Sequence, residues 1–267
     1  MRWLPLLILC LWLTLPVEAG TSLAGGQSHF PASAIAQFSK QVEQTLANQD
    51  TQVALLARVG RPQSEMPEGM HYTHVSFVVY SQITLSDQRK VPGYAVYNLY
   101  QSDRQPDTSS LVQDFPVDFF SGVYSLEAGI LIPSPELQRR LLQVIASPTY
   151  RKLHDPHYSA IANPFTLGRQ NCTEHTLDVL FAAIYQTDDI ARIKASERAF
   201  FTAQPINVSP LKLMLGNLFS SDITLSDQPA RPPETATFET IARFLQQYDK
   251  GSQVLYIKPD NPPAATH

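Results

Sequence analysis

The stretch H-Y-T-H-V-S-F-V-V-Y at 71–80 decides the reading of this chain. From Tyr72 to Tyr80 it is dense in β-branched and aromatic residues with no glycine or proline between them, which predicts a strand. His74 stands inside it and, by the two-residue alternation of side chains, shares a face with Ser76 and Val78. A second such stretch, Y-A-V-Y-N-L-Y at 94–100, follows a polar connection spanning 81–92. The two most simply form an antiparallel pair whose connection is too long for a tight hairpin. Asn98 is the one amide in an otherwise apolar and aromatic run. A buried amide costs free energy unless it is paired, so Asn98 should orient something, and on a neighbouring strand that is the His74 ring.

Working outward, Ser33 opens a helix with Ile35, Phe38, Val42 and Leu46 on one stripe, and 52–59 reads as a buried strand ending at Gly60. Residues 61–70 and 101–110 read as polar loops. The aromatic stretch 115–133 holds a strand at 128–132, and D-F-P-V-D (114–118) reads as a solvated loop. Ser134-Pro135 starts a helix carrying Leu137, Leu141, Leu142 and Ile145, and 148–170 is loop-like. A helix begins near Asn171, another covers 188–201, a short one follows Ser209, and an amphipathic one spans 238–248; strands are expected at Ile223 and over 254–258. This order predicts an α+β domain over 33–258, with a flexible leader at 20–32 and a disordered tail at 259–267. The segment S-Q-I-T-L-S-D-Q (81–88) returns as S-D-I-T-L-S-D-Q (221–228), one short echo without the period of a repeat protein.

The chain has 267 residues, 43% hydrophobic and 16% charged, a composition that excludes intrinsic disorder. A net charge of −4 and a pI near 6.0 leave no broad basic face, so nucleic acid is not an expected partner. Arg2, the apolar run Leu4–Leu15 and Val17-Glu18-Ala19 have the pattern of a secretory signal cleaved after residue 19. The run is short for a membrane span, and no later segment is long and apolar enough to serve as one. A periplasmic or secreted protein is therefore expected. Cleavage removes Cys10 and leaves Cys172 as the single cysteine, so no intramolecular disulfide can form. The thiol is then either buried and inert or in use.

Cys172 lies in N-C-T-E-H (171–175), where a loop turns into a helix. A thiol in a first helical turn meets unpaired N–H groups and the positive dipole end, which favour thiolate. Cys172 shares a helix face with Thr176, Val179 and Ala183, while Leu177, Leu180, Phe181 and Ile184 point elsewhere, so the helix should be buried on two sides. With His74 facing Cys172 and Asn98 holding the ring, the three residues have the logic of a Cys-His-Asn triad. The competing reading pairs His154-x-x-His157 with Cys172-x-x-His175 as four zinc ligands. His157 and Tyr72 are further candidates for substrate contact. Arg58, at the end of a buried strand, is set either to bind an acidic substrate group or to pair with a structural carboxylate.

A strand with T-H-V, a second strand with a polar orienter, and only then a helix opened by N-C, resembles the circularly permuted branch of the NlpC-type papain-like superfamily. Lecithin:retinol acyltransferase and bacterial thiol hydrolases belong to that branch, and their N-C-E-H motif is here N-C-T-E-H, so no role passes to His175. Over most of its length the chain more specifically resembles bacterial domain-of-unknown-function family 2145. The segments that carry this are A-R-V-G (57–60), 71–80, 94–100, L-H-D-P-H-Y-S-A-I-A-N-P (153–164) and Q-N-C-T-E-H (170–175). The resemblance implies a permuted papain-like α+β fold, an antiparallel sheet packed on the Cys-bearing helix with extra helices and a C-terminal extension. It also implies Cys172 as nucleophile and His74 as base.

The expected function is an exported thiol hydrolase or acyltransferase acting on an amide or ester carbonyl of a peptide, lipid or acyl substrate of the cell envelope, without a cofactor. The alternatives are an inactive binding module on the same fold, and a zinc-stabilised structural protein using His154, His157, Cys172 and His175.

Overall fold

The computed structural model describes residues 28–84, 87–207, 226–229 and 232–260. The expected signal segment, most of the leader, the helix after Ser209, the strand at Ile223 and residues 261–267 lie outside them, as does part of each copy of the octapeptide echo.

Strands β1 (Val53–Val59), β2 (His74–Thr84), β3 (Lys90–Gln101), β4 (Ser109–Asp114) and β5 (Ser125–Ile132) enter one sheet. The short strands β6 (Gln204–Pro205) and β7 (Glu234–Thr235) pair with each other, and β8 (Gln253–Ile257) returns to the main sheet. That sheet has six strands in the order β4-β3-β2-β1-β5-β8, every neighbouring pair antiparallel. Around it run α1 (Ala32–Asn48), α2 (Pro116–Phe119), α3 (Pro135–Ile145), α4 (Thr149–Lys152), α5 (Cys172–Tyr185), α6 (Ile190–Phe200) and α7 (Phe238–Tyr248). The architecture is α+β, as the order of elements predicts.

All seven residues of β1 are buried, so both sheet faces are covered. Val53, Leu55, Ala57, Val75, Phe77 and Val79 point to the side of α3, α5 and α7 and build one core with Leu141, Leu180, Phe181 and Phe238. Ala54, Leu56, Val78 and Val96 point the other way, onto Phe38 and Val42 of α1 and the Phe119–Phe120 pair. Helix α5 is buried from Cys172 through Ile184, because the sheet lies on one side and α3 and α6 on others. Its N-terminus is capped by the Asn171 side chain, which accepts from the Glu174 N–H.

Three expectations are corrected. The β2–β3 ladder extends to Thr84↔Lys90, so the connection is shorter than 81–92. Those extra rungs are largely exposed and polar, so no hydrophobic pattern marks them. Strand β4 replaces the end of the 101–110 loop: S-S-L-V-Q-D is a sheet edge, where polar residues are tolerated and the alternation fades. Finally, Asp114 is not solvated but buried at the end of that strand.

Candidate functional site

The site forms where β2 and β3 part. Their ladder stops at Phe77↔Tyr97, three residues short of the start of β2. Tyr80 donates its N–H to the carbonyl of Gln52, the residue just before β1, so by antiparallel alternation the even-numbered residues of β2 bond toward β1. The Val75 N–H therefore points toward β3, into the gap that the parted strands leave. There it faces the Cys172 thiol, brought to the gap as the first residue of α5, and favours its ionised form.

His74 stands opposite Arg58 in register, and both side chains lie on the α1–α2 side of the sheet. The His74 ring stacks on Tyr100 at 5.2 Å between centroids and tilts against Phe119 at 5.6 Å. Its Nε2 lies 3.0 Å from Asn98 Oδ1 and 3.1 Å from Ser76 Oγ, and Ser76 also donates to Asn98 Oδ1. The orientation of the Asn98 amide follows from its other end, where Nδ2 donates to Asp114 Oδ1 at 2.7 Å. A carboxylate accepts only, so the nitrogen of the amide faces Asp114 and the oxygen faces His74. The imidazole hydrogen then belongs on Nε2, and Nδ1 keeps its lone pair. Tyr100 donates to Asp114 Oδ2 at 2.8 Å. The Arg58 guanidinium lies over the Tyr100 and Phe119 rings and donates to the Phe119 carbonyl.

Burial dominates the electrostatics. It pushes the Cys172 thiol above its usual range, against the pull of the Val75 N–H, the Arg58 charge and the first N–H groups of the helix. The expectation that the helix N-terminus would leave a thiolate is therefore corrected: at 8% exposure, desolvation outweighs the dipole. Burial, and then Arg58, lower His74 to about 3, with the Asn98 bond working against them. Asp114 is raised to about 7 by burial, with the Tyr100 hydrogen bond opposing. At rest near neutral pH the site holds a thiol and a neutral imidazole. No hydrogen bond joins Cys172 to His74 among the described residues.

The remaining candidates are dispersed. His157 is exposed and paired with Asp155 at 2.7 Å, while His154 Nε2 meets Ser109 Oγ at 3.0 Å. His175 is buried against Tyr150 and His154, at 4.9 and 6.1 Å between centroids. Among the described residues no group of three or more His, Cys, Asp or Glu side chains is placed to hold a metal ion, so the proposed ligand set does not assemble. The reason is local: one bridge pins His157 to Thr108 in the β3–β4 connection, and another, from Tyr158 to Gln170, closes the loop that follows it. Tyr72 lies in the core, edge-on to Phe238 at 4.9 Å. Two surface clefts, of about 400 and 380 Å³, open near Arg140 and Asp188 and near Leu111 and Tyr150; neither is lined by Cys172 or His74.

Sequence reasoning missed Ser76, Tyr100 and Asp114 as members of this network. Ser76 carried a signal, since it shares the His74 face two residues on. Asp114 carried none, because its own strand, β4, was not legible.

Among the described residues no helix is long and apolar enough to cross a membrane. No curated protein and no solved structure matches the chain. Residues 45–245 match the family described as "Uncharacterized protein conserved in bacteria", domain-of-unknown-function family 2145. With three quarters of its length inside that match, the chain belongs to this bacterial family.

Proposed function

We propose that the protein is an exported thiol hydrolase or acyltransferase acting at an amide or ester carbonyl, on a permuted papain-like arrangement of strands and helix. The observation that carries the reading is the His74–Asn98 pair, with Nε2 engaged and Nδ1 left without a hydrogen, at the end of the sheet where Arg58 and the Val75 N–H also act on a cysteine that opens a helix. Because both groups rest neutral, the thiol loses its proton as it attacks rather than before. The Cys172 S–H proton passes to His74 Nδ1 while sulfur bonds to the carbonyl carbon, whose π electrons move to oxygen. The Cys172 backbone N–H at the helix start receives that oxyanion. The Val75 N–H and Arg58 stabilise the negative charge on sulfur as it develops. His74 then returns its proton to the departing amine or alcohol as the C–N or C–O bond breaks, leaving a thioester. Water, or an acceptor hydroxyl or amine, completes the cycle with His74 again as base. Envelope peptides or acyl groups suit the export signal in the sequence.

A second reading, an inactive binding module of the same fold, is favoured by the burial of Cys172 and the absence of a direct Cys172–His74 bond among the described residues. Iodoacetamide kinetics from pH 4 to 9 on wild type and His74→Ala separate the two. A base at His74 makes wild-type Cys172 at pH 7 react faster than the variant by about tenfold or more. Coincident profiles leave the binding module.

A further inference from the structure

We propose that Asp114 is a positioning residue that selects the reactive tautomer of His74 through Asn98. The inference rests on the catalytic reading above and adds to it the residue that makes Nδ1, rather than Nε2, the basic nitrogen.

An amide has two faces of opposite polarity, and nothing intrinsic to Asn98 decides which one meets His74. With its oxygen toward the ring, Nε2 must carry the hydrogen; with its nitrogen toward the ring, Nε2 must accept, and the hydrogen moves to Nδ1. Ser76 does not settle the matter, because a hydroxyl donates or accepts as its partner requires. Asp114 does settle it once ionised, above a pH of about 7, because its carboxylate then only accepts and takes the Asn98 nitrogen at 2.7 Å. The carboxylate is itself held. Tyr100 donates to its second oxygen at 2.8 Å, and the Arg58 charge lies over the Tyr100 ring. The polar chain therefore runs Tyr100–Asp114–Asn98–His74 across three adjacent strand segments. Asn98 is fully buried, and Asp114 and His74 nearly so, which leaves little water to substitute for a lost partner. A flipped amide in the intact protein could still satisfy the ring by moving its hydrogen to Nδ1, but it would set the Asn98 oxygen against the carboxylate, a repulsive contact in place of a hydrogen bond that no ring tautomer relieves.

The test reads the tautomer directly, by nitrogen-15 NMR of ring-labelled histidine, with the His74 signals assigned from their loss in His74→Gln. Wild type is expected as the Nε2–H form. Asp114→Asn can still accept from Asn98 through its own amide oxygen and should keep that form. Asp114→Leu, similar in shape but without an acceptor, should lower the Nε2–H to Nδ1–H ratio by about tenfold or more. It should also slow Cys172 alkylation at pH 7 relative to Asp114→Asn. Asp114→Val is measured in parallel in case Leu disturbs β4. A wild-type Nδ1–H tautomer overturns the proposal, as does an acceptor-free variant that folds and retains the wild-type ratio. Neither result requires turnover, so it is distinct from failure of the catalytic reading, which shows as His74→Ala leaving alkylation unchanged.

Discussion

His74 Nε2 sits 3.0 Å from Asn98 Oδ1 although the ladder between their strands ends at Phe77 and Tyr97. Side chains take over where backbone pairing stops. The gap they bridge is the one into which Val75 turns its N–H and α5 delivers Cys172. Parting of the strands is thus what opens one end of the sheet, with the imidazole–amide pair across it and the thiol reaching it from α5.

Replacing Asn98 with Leu removes the acceptor of His74 and Ser76 and the donor to Asp114 at once. Several buried polar groups lose partners, and the expected loss of stability is about 1–3 kcal/mol, read from the urea midpoint. Cys172 alkylation at pH 7 should slow as well, but less than in His74→Ala, because orientation is lost rather than the base. A variant as stable and as reactive as wild type would mean that the amide does no such work.

Behind α5, Lys194 is buried among Glu174 at 2.8 Å, Asp178 at 2.7 Å and Glu197 at 3.2 Å, with the Pro164 carbonyl at 3.1 Å. Burial holds Glu174 and Glu197 well above the carboxylate range, against the pull of the Lys194 charge. Lys194→Met strands the remaining carboxylate charge. The expected cost is about 3–5 kcal/mol by denaturant unfolding. A cost below about 1 kcal/mol would show the ion cluster to be dispensable.

His175, also on α5, is buried, and its pKa is lowered from 6.5 to about 3, chiefly by burial and then by His154. Below 6.5 the unfolded chain binds a proton that the folded one refuses, so this contribution is intact above that pH and is lost as pH falls toward 3. Asp114 acts oppositely: its folded pKa of about 7 makes its contribution decline as pH rises from 3.8 toward 7. His175→Phe keeps a ring against Tyr150 and removes one acid-labile group. Its stability relative to wild type should be better at pH 4 than at pH 7 by about 3 kcal/mol. Comparing the two pH values cancels any constant packing change. Equal differences at both would show that His175 is not desolvated as described.

The parts legible in the sequence were those with strong patterning. The dense apolar runs gave β1, the first half of β2 and the second half of β3, and helical stripes gave α1, α3 and α7. His74 and Asn98 stood out as polar residues inside such runs, and their hydrogen bond follows from the strands being neighbours. What escaped was structure defined by its partner rather than by itself. S-S-L-V-Q-D becomes a strand because β3 offers a free edge, and only then does Asp114 come under Asn98. The thiol's proton affinity escaped for a related reason: helix position is visible in sequence, but the depth of burial that outweighs it is not.

The central claim is that His74 acts as base for a nucleophilic Cys172, and acyl transfer from p-nitrophenyl acetate tests it most directly. Wild type at pH 7 should release p-nitrophenol while gaining one acetyl group on Cys172 by intact mass and peptide mapping, and Cys172→Ser should not. His74→Ala, confirmed as folded, should acylate about a hundredfold more slowly or worse, the usual loss on removing a general base. Acylation of Cys172 at the same rate in wild type and His74→Ala would contradict the account.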